Sequence, residues 1–422
     1  MKPMPRLAAF LILAFLLLTA CQPGPHKAQA PTPPPLLILI SIDGYRADYF
    51  DLGLTPALAE LSKDGVRARA MRPSFPSLTF PNHYTLVTGL RPNHHGVVHN
   101  TMRDPELPGE TFTLSNRKAV GDARWWNDGE PIWNSASRAG LRSATMFWPG
   151  SEAPIHGQHP DYWRPFDISV SSEARVAQVL EWLDLPPDER PDFITLYFDV
   201  VDSKGHRYGP DAPETHAVLV EVDTALATLV QGLRKRGLFD ATNLVIVSDH
   251  GMTPTPEGHT VAMDEVLPAE LFDLNNIGPL ASLDATPGNE EALDAALAST
   301  PIPHAQCWRK DRLPERFHYG SHRRISRWLC QADEGWLLAS RAIISDMIVP
   351  KGYKGAHGFD NTLPSMAALF LAHGPDFRKG LIVDELDNVD VYPLLARLLH
   401  IAPEPNDGDP EATVPMLSHR TR

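Results

Sequence analysis

The sequence predicts an α/β fold in which a central, mostly parallel β-sheet is flanked by helices on both faces, and three features carry that prediction. First, Leu36 to Ile42 (LLILISI), Phe193 to Phe198 (FITLYF) and the start of NLVIVSDHG (243–251) are apolar runs of strand length. Runs without polar alternation suit parallel strands buried on both faces. Second, each run is followed closely by an aspartate: Asp43, Asp202 and Asp249. Open α/β sheets form their sites at the carboxyl ends of strands, so these three are candidate site residues. Third, helical stretches separate the runs, as the long crossovers between parallel strands require.

The chain has 422 residues, 43% hydrophobic and 21% charged, enough to bury a large core in one domain with insertions or in two domains. Lys and Arg number 38 against 52 Asp and Glu, a formal charge of -14, which argues against binding to a nucleic-acid duplex through its phosphates. At the amino terminus Lys2 and Arg6 precede an apolar run from Leu7 to Ala20. That run is short for a bilayer crossing of about 20 residues and fits a secretory signal. It ends in Leu18-Thr19-Ala20-Cys21, which resembles a bacterial lipobox. Residues 1–20 are therefore expected to be a lipoprotein signal peptide, with Cys21 lipidated. A cleaved soluble export signal and an uncleaved anchor are the alternatives. Gln22, rather than Asp, follows the cysteine, so the expected place is the outer membrane facing the periplasm. Residues 21–35 are rich in Pro, Ala and Gln and read as a flexible tether.

In the body, Thr55-Pro56 opens a helix that Gly65 closes. Pro73 to Gly89 (PSFPSLTFPNHYTLVTG) then places a hydroxyl, Thr79, before a helix in which Pro81 suits the first position. An anion held there would face unpaired amides and the positive end of the helix dipole; a plain capping threonine is the alternative. Asn100 lies in HGVVHNTM. PIWNSASRAG reads as a helix closed by Gly140, and SATMFW as a strand running into Pro149-Gly150. A helix near Ser172 to Leu185 precedes the second apolar strand, after which Asp202 and His206 are expected on a glycine-containing loop. A long amphipathic helix spans about 213–236. Residues at about 277–341 lose the α/β rhythm and read as an insertion or smaller subdomain. His357 sits between glycines in KGYKGAHGFDN; PSMAALFLAHG supplies a further strand and VDVYPLLARLLHI a closing helix, before a frayed tail at Arg420 to Arg422.

Asp43, Asp202, His206, Asp249, His250 and His357 offer three carboxylates and three imidazoles, a mixed set that suits zinc better than calcium or magnesium. With Thr79 they divide into one group of Asp202, His206 and His357 and another of Asp43, Thr79, Asp249 and His250. An unassisted alcohol is a poor nucleophile near neutral pH, and one metal can lower its pKa. A second can stabilise the leaving oxygen, the two cations, about 4 Å apart, clamping a phosphoryl centre in line. Cys307 and Cys330 are expected to form a disulfide in an oxidising compartment, rather than a metal site.

SIDGYRADY, PSFPSLTFPNHYTLVTG, MFWPGSE, VDSKGHRYGP, SDHGM and GAHGFDNTLPSM together resemble the nucleotide pyrophosphatase/phosphodiesterase family of the alkaline phosphatase superfamily, from about Leu36 to His400. The resemblance implies an alkaline phosphatase-like fold over residues 36–422, two zinc ions per chain on the six residues named, and Thr79 as nucleophile. It implies further that Asn100 helps hold a phosphate oxygen and that Phe80 and Tyr162 sandwich a nucleobase, with Trp148 nearby; core packing is the other role open to these aromatics. The implied activity is hydrolysis of phosphodiester and pyrophosphate bonds, releasing nucleoside 5'-monophosphates through a covalent threonine intermediate. A phosphomonoesterase or phospholipid-headgroup phosphodiesterase on the same site, and a noncatalytic periplasmic metal-binding protein, are the rival readings. Two departures stand out. The family's usual Glu-x-Pro-Asp is here Asp199-Val200-Val201-Asp202, and Leu78 stands where some nucleotide-selective relatives carry Lys.

Overall fold

The computed structural model of the protein describes residues 35–345 and 354–418. The expected signal peptide, Cys21, all of the tether except Pro35, and the tail at Arg420 to Arg422 lie outside the described residues. Eight strands build the main sheet: β1 (Leu36–Ile42), β2 (Val66–Arg72), β3 (Ser143–Met146), β4 (Tyr162–Trp163), β5 (Phe193–Phe198), β6 (Thr242–Val247), β7 (Phe370–His373) and β8 (Leu381–Asp387). Their order is β8-β2-β7-β6-β1-β5-β3-β4. Strand β7 runs antiparallel to β2 and β6, and the other pairings are parallel.

The three apolar runs are the three central strands, β6-β1-β5, side by side. Ser41 of β1 pairs with Tyr197 on one side and Val247 on the other. The three chains therefore leave the sheet at one level, which brings their aspartates together.

Alternate residues of β1 feed two cores, because side chains on a strand point to opposite faces. Leu37 and Leu39 pack with Leu86 and Val87 of the helix Thr79–Thr88, Trp133 of Ile132–Arg138 and Leu395 of Val391–Leu398. Ile38, Ile40 and Ile42 pack with Leu58 of Pro56–Lys63, Val179 of Ser172–Leu183 and Leu226 of Pro213–Lys235. Truncating a strand residue buried this way to Ala costs about 2–5 kcal/mol.

Strands β2 and β8 are absent from the sequence reading. VRARAMR alternates between buried and more exposed positions, and LIVDELD is exposed along much of its length. A half-buried strand offers no apolar run to find, only a period of two.

Residues 272–332 carry a second sheet, antiparallel throughout, of strands Phe272–Asn276, Leu280–Ala285, Trp328–Ala332 and Ala305–Arg309 in that spatial order. Helix Glu290–Ser299 buries Leu293 and Leu297 in a core shared with Leu283 and Trp328. Cys307 and Cys330 are directly paired on neighbouring strands and joined by a disulfide, with Cα atoms 4.0 Å apart.

Candidate active site

Asp43 leaves β1 through Gly44, whose φ of +69° is open to glycine at little steric cost. A Cβ at Gly44 would also lie 3.0 Å from Asp202 Cα. The turn thus brings the first and second aspartates against each other. Asp202 and His206 are not on a loop, as expected, but on one face of a helix, Val200–Tyr208, four residues apart. Gly205 does not break this helix; it lets the backbone close on Met252 and Gly355, where a built Cβ at Gly355 would lie 2.5 Å from the Gly205 carbonyl oxygen.

Thr79 is the first residue of its helix rather than part of the preceding turn, and Leu78 is the extended residue (φ -124°, ψ 153°). Pro81 accordingly sits third. The first three helical N–H groups all lack intrahelical acceptors, so a proline fits there as well as at the first position. Thr79 is 7% exposed, with Oγ1 3.3 Å from His250 Nε2. Beside it, Asn100 Oδ1 accepts a hydrogen bond from the Phe80 N–H at 3.0 Å.

The acidic and imidazole groups lie close together, in clusters of Asp202, His206 and His357, of Asp43, Asp202 and His250, and of Asp43, His83 and Asp249. Asp202 Oδ1 lies 3.4 Å from His206 Nε2 and 3.5 Å from His357 Nε2. His250 Nε2 lies 2.9 Å from Asp249 Oδ2 and 3.5 Å from Asp43 Oδ1. In each imidazole the Nδ1 faces a backbone carbonyl: Gly355 for His206, Gly251 for His250 and Ser77 for His357, at 2.8 to 3.0 Å. With Nδ1–H donating, Nε2 of all three is turned toward the carboxylates, and once it has given up any proton its lone pair is placed for a metal, the arrangement that metal-binding histidines use.

Several supporting residues escape the sequence reading. Tyr197 donates its phenol hydrogen to Asp43 Oδ2 at 2.6 Å. His83 places Nδ1 2.9 Å from the Thr79 carbonyl and 3.3 Å from Asp249 Oδ2, while Nε2 meets Ser41 Oγ at 2.8 Å. Both its nitrogens are thus committed, and its role is to hold Asp249 and the start of the helix. The sequence signal for it exists: His83 is four residues after Thr79, on the same helical face.

Burial drives the electrostatics. It pushes the Asp43 carboxyl well above the usual range, with Asp249 and Asp202 adding to the rise, and it raises Asp202 too. Burial also acts to raise Asp249, but the charges of His250 and His83 outweigh it and hold that carboxyl well below the usual range. His357, stacked on His250 with centroids 3.5 Å apart, is driven well below the ordinary imidazole value by burial and then by its two histidine neighbours. Asp43 Oδ1, Asp202 Oδ1 and Asp249 Oδ2 are buried without a hydrogen-bond donor. Three crowded carboxylates with orphan oxygens and three aimed imidazoles fit divalent metal ions, since buried charges otherwise need partners. Clusters within this set have ligand atoms within 4.8 Å of one another.

A cleft of about 190 Å³ opens from Asp43, Thr79 and Asp202. Phe80 and Trp148 line it, Trp148 through a mostly buried ring whose Nε1–H donates to the His83 carbonyl at 3.0 Å. Tyr162 is not among the lining residues, which corrects its assignment as Phe80's partner. It lies on the edge strand β4 with its ring beside Trp182 and its hydroxyl on the Glu189 carbonyl. Phe166, four residues on, lines the cleft in its place. The chain leaves β4 at Trp163, and this exit, rather than residue type, decides which aromatic faces the cleft.

A model of the type I phosphodiesterase/nucleotide pyrophosphatase family matches residues 37–360. The chain belongs to that family. The chain is 37% identical over 401 residues to an uncharacterized pyrophosphatase/phosphodiesterase of Schizosaccharomyces pombe, covering 91% of this chain and 81% of that one. It is 35% identical to human ectonucleotide pyrophosphatase/phosphodiesterase family member 5 over 403 residues, covering 95% and 80%. With human family member 1 the identity is 38% over 395 residues, 89% of this chain but 41% of that longer one. Among solved structures, murine ectonucleotide pyrophosphatase/phosphodiesterase 5 superimposes with a TM-score of 0.85 at 34% identity, over 91% of this chain and all of that one. The same protein is known as an inactive threonine-to-alanine variant in complex with AMP, again with a TM-score of 0.85. The fold of the chain is thus alkaline phosphatase-like α/β, and its family is one of phosphoric diester hydrolases.

Proposed function

We propose that the protein is a zinc-dependent nucleotide pyrophosphatase/phosphodiesterase that works through a covalent intermediate on Thr79. The observation that carries this reading is the approach of Thr79 Oγ1 to His250 Nε2, 3.3 Å, inside a ring of three aspartates and three histidines. The AMP complex of the murine neighbour, obtained with a threonine removed and described as inactive, supports both the substrate class and the nucleophile.

Asp202, His206 and His357 would hold one zinc ion, and Asp43, Asp249 and His250, with Thr79, a second. Three carboxylates and two divalent ions sum to a single positive charge, which suits a singly negative phosphodiester. When bound, the ions supply the charge that lowers the pKa of the hydroxyl and neutralises the reacting phosphoryl group.

The chain's own groups do the rest. Thr79 Oγ bonds to phosphorus, its proton passes to water, and the bond from phosphorus to the leaving oxygen breaks. Asn100 fixes the Phe80 amide beside the reacting oxygens, and Phe80 and Phe166 flank the base. Water then cleaves the phosphothreonine, releasing the nucleoside 5'-monophosphate and restoring the hydroxyl. The lipobox-like segment supports an exported lipoprotein facing the periplasm.

Purified protein is given p-nitrophenyl thymidine 5'-phosphate and p-nitrophenyl phosphate. The diester is expected to turn over faster, and Thr79→Ala to reduce its cleavage by at least about a thousandfold with metal content intact. Faster cleavage of the monoester, or an active Thr79→Ala protein, would overturn the reading.

A further inference from the structure

The two walls of the cleft come from separate segments. Leu114, Arg117 and Val120 line one side, after the short strand Thr111–Thr113. Phe166 and Ile168 line the other, in the segment before Ser172–Leu183. Both rims are apolar and open, with Leu114 40% and Ile168 68% exposed. Without a tie, an exposed segment of this kind would sample many spacings.

Glu152 supplies the tie. It lies in the turn after Trp148-Pro149, and its side chain is 13% exposed. Oε2 is ion-paired with the Arg117 guanidinium on one wall. Oε1 accepts the Phe166 N–H, at 3.2 Å, on the other. One carboxylate therefore joins both walls, one oxygen to each.

The Phe166 ring is braced from behind. Phe147 and Tyr197 pack edge-on against it at 5.2 and 5.9 Å, and the Arg175 guanidinium lies 5.8 Å from its centre. Arg175 is itself locked by Asp199 at 2.6 Å and by the Val170 and Tyr197 carbonyls, each at 2.9 Å. The brace fixes the ring's tilt, and the amide bond to Glu152 fixes how far the backbone stands from Phe80's side of the cleft.

The geometry assigns Glu152 as a positioning residue that sets the width of the cleft, and with it the preference for a substrate carrying a flat aromatic group next to the phosphate. This rests on the proposed phosphodiesterase reading. Glu152 touches neither Thr79 nor the metal-ligand set, so it acts on the ligand's organic half through Phe166 and Arg117.

Calorimetric titration of the zinc-loaded protein with AMP and, separately, inorganic phosphate tests it. The ratio of AMP to phosphate affinity is expected to fall about tenfold in Glu152→Ala. Glu152→Gln keeps an oxygen for the Phe166 amide but gives up the ion pair with Arg117, so it is expected to recover only part of the loss and leave the ratio about threefold below the wild type. Arg117→Gln, which opens the same tie from the other wall, provides a second route if Glu152→Ala does not fold, and is expected to lower the ratio at least threefold. Equal weakening of both ligands, or an unchanged ratio, would overturn the role of Glu152. A wild type that binds neither ligand would instead overturn the phosphodiesterase reading on which it rests.

Discussion

The phenol of Tyr197 donates to Asp43 Oδ2 at 2.6 Å, which leaves Asp43 Oδ1 pointing toward His250 Nε2 at 3.5 Å. The two oxygens of one carboxylate are thereby given different tasks. Outer partners of this kind orient a ligand, and losing one typically lowers metal affinity about 10- to 100-fold. Tyr197→Phe is expected to weaken zinc binding about tenfold, measured by competition with a chromophoric chelator, while keeping the cleft's shape. An unchanged zinc affinity would show that Asp43 is held by its burial alone.

Gly44 turns the chain just after Asp43 and packs against the second aspartate's helix. A methyl group there would meet a positive φ, costing about 1–2 kcal/mol, and the Asp202 backbone at 3.0 Å. Gly44→Ala should lower the thermal midpoint and, because the clash is with Asp202, reduce bound zinc below two equivalents. Metal analysis with a melting curve checks both.

In the metal-free protein Asp43 is protonated to higher pH than an ordinary carboxylate, through burial and then its two aspartate neighbours. A metal requires it ionised, so zinc binding should release protons, and more of them as the pH is lowered. Titration calorimetry in buffers of different ionisation enthalpy reads that release. Chelator-treated protein should lose activity and regain it with zinc. Zinc binding with no net proton release would contradict the raised carboxyl.

Away from the site, Asp390 is raised to about 6 by burial, with Asp387 and Asp409 adding to the effect. Its folded form holds the proton more tightly than the unfolded chain does, with a reference value near 3.9, so stability falls as pH rises between about 4 and 6. Asp390→Asn keeps an oxygen for the Asp409 N–H and removes the charge. The variant is expected to be more stable than wild type by about 2 kcal/mol at pH 8, with the advantage gone by about pH 4. Denaturant unfolding at the two pH values tests the sign.

The readable parts of this protein were those in which one physical requirement acts alone. Strands β1, β5 and β6 are buried on both faces, so nothing but apolar residues serves, and the aspartates at their ends interrupt the pattern. Strands β2 and β8 have one face in water and hide in ordinary polar sequence. Asp202 and His206 lie four apart, a helical spacing, yet Gly205 between them suggests a loop until Met252 and Gly355 are seen packed on it. Tyr162 and Phe166 are both aromatic and close in sequence, and only the point at which the chain leaves β4 separates the cleft wall from the sheet edge. Tyr197 acts through Asp43, a carboxylate far away in the chain, a relation that no local pattern records.

The buried central strands β1, β5 and β6 are expected to be the slowest to exchange their amide hydrogens, and the loops bearing the exposed Leu114 and Ile168 to open far more readily. Changes in those loops can therefore accumulate without unseating the metal ligands. A new substrate is reached here by editing the rim, and a lineage carrying this fold can alter what it digests while the machinery that breaks the bond stays as it was.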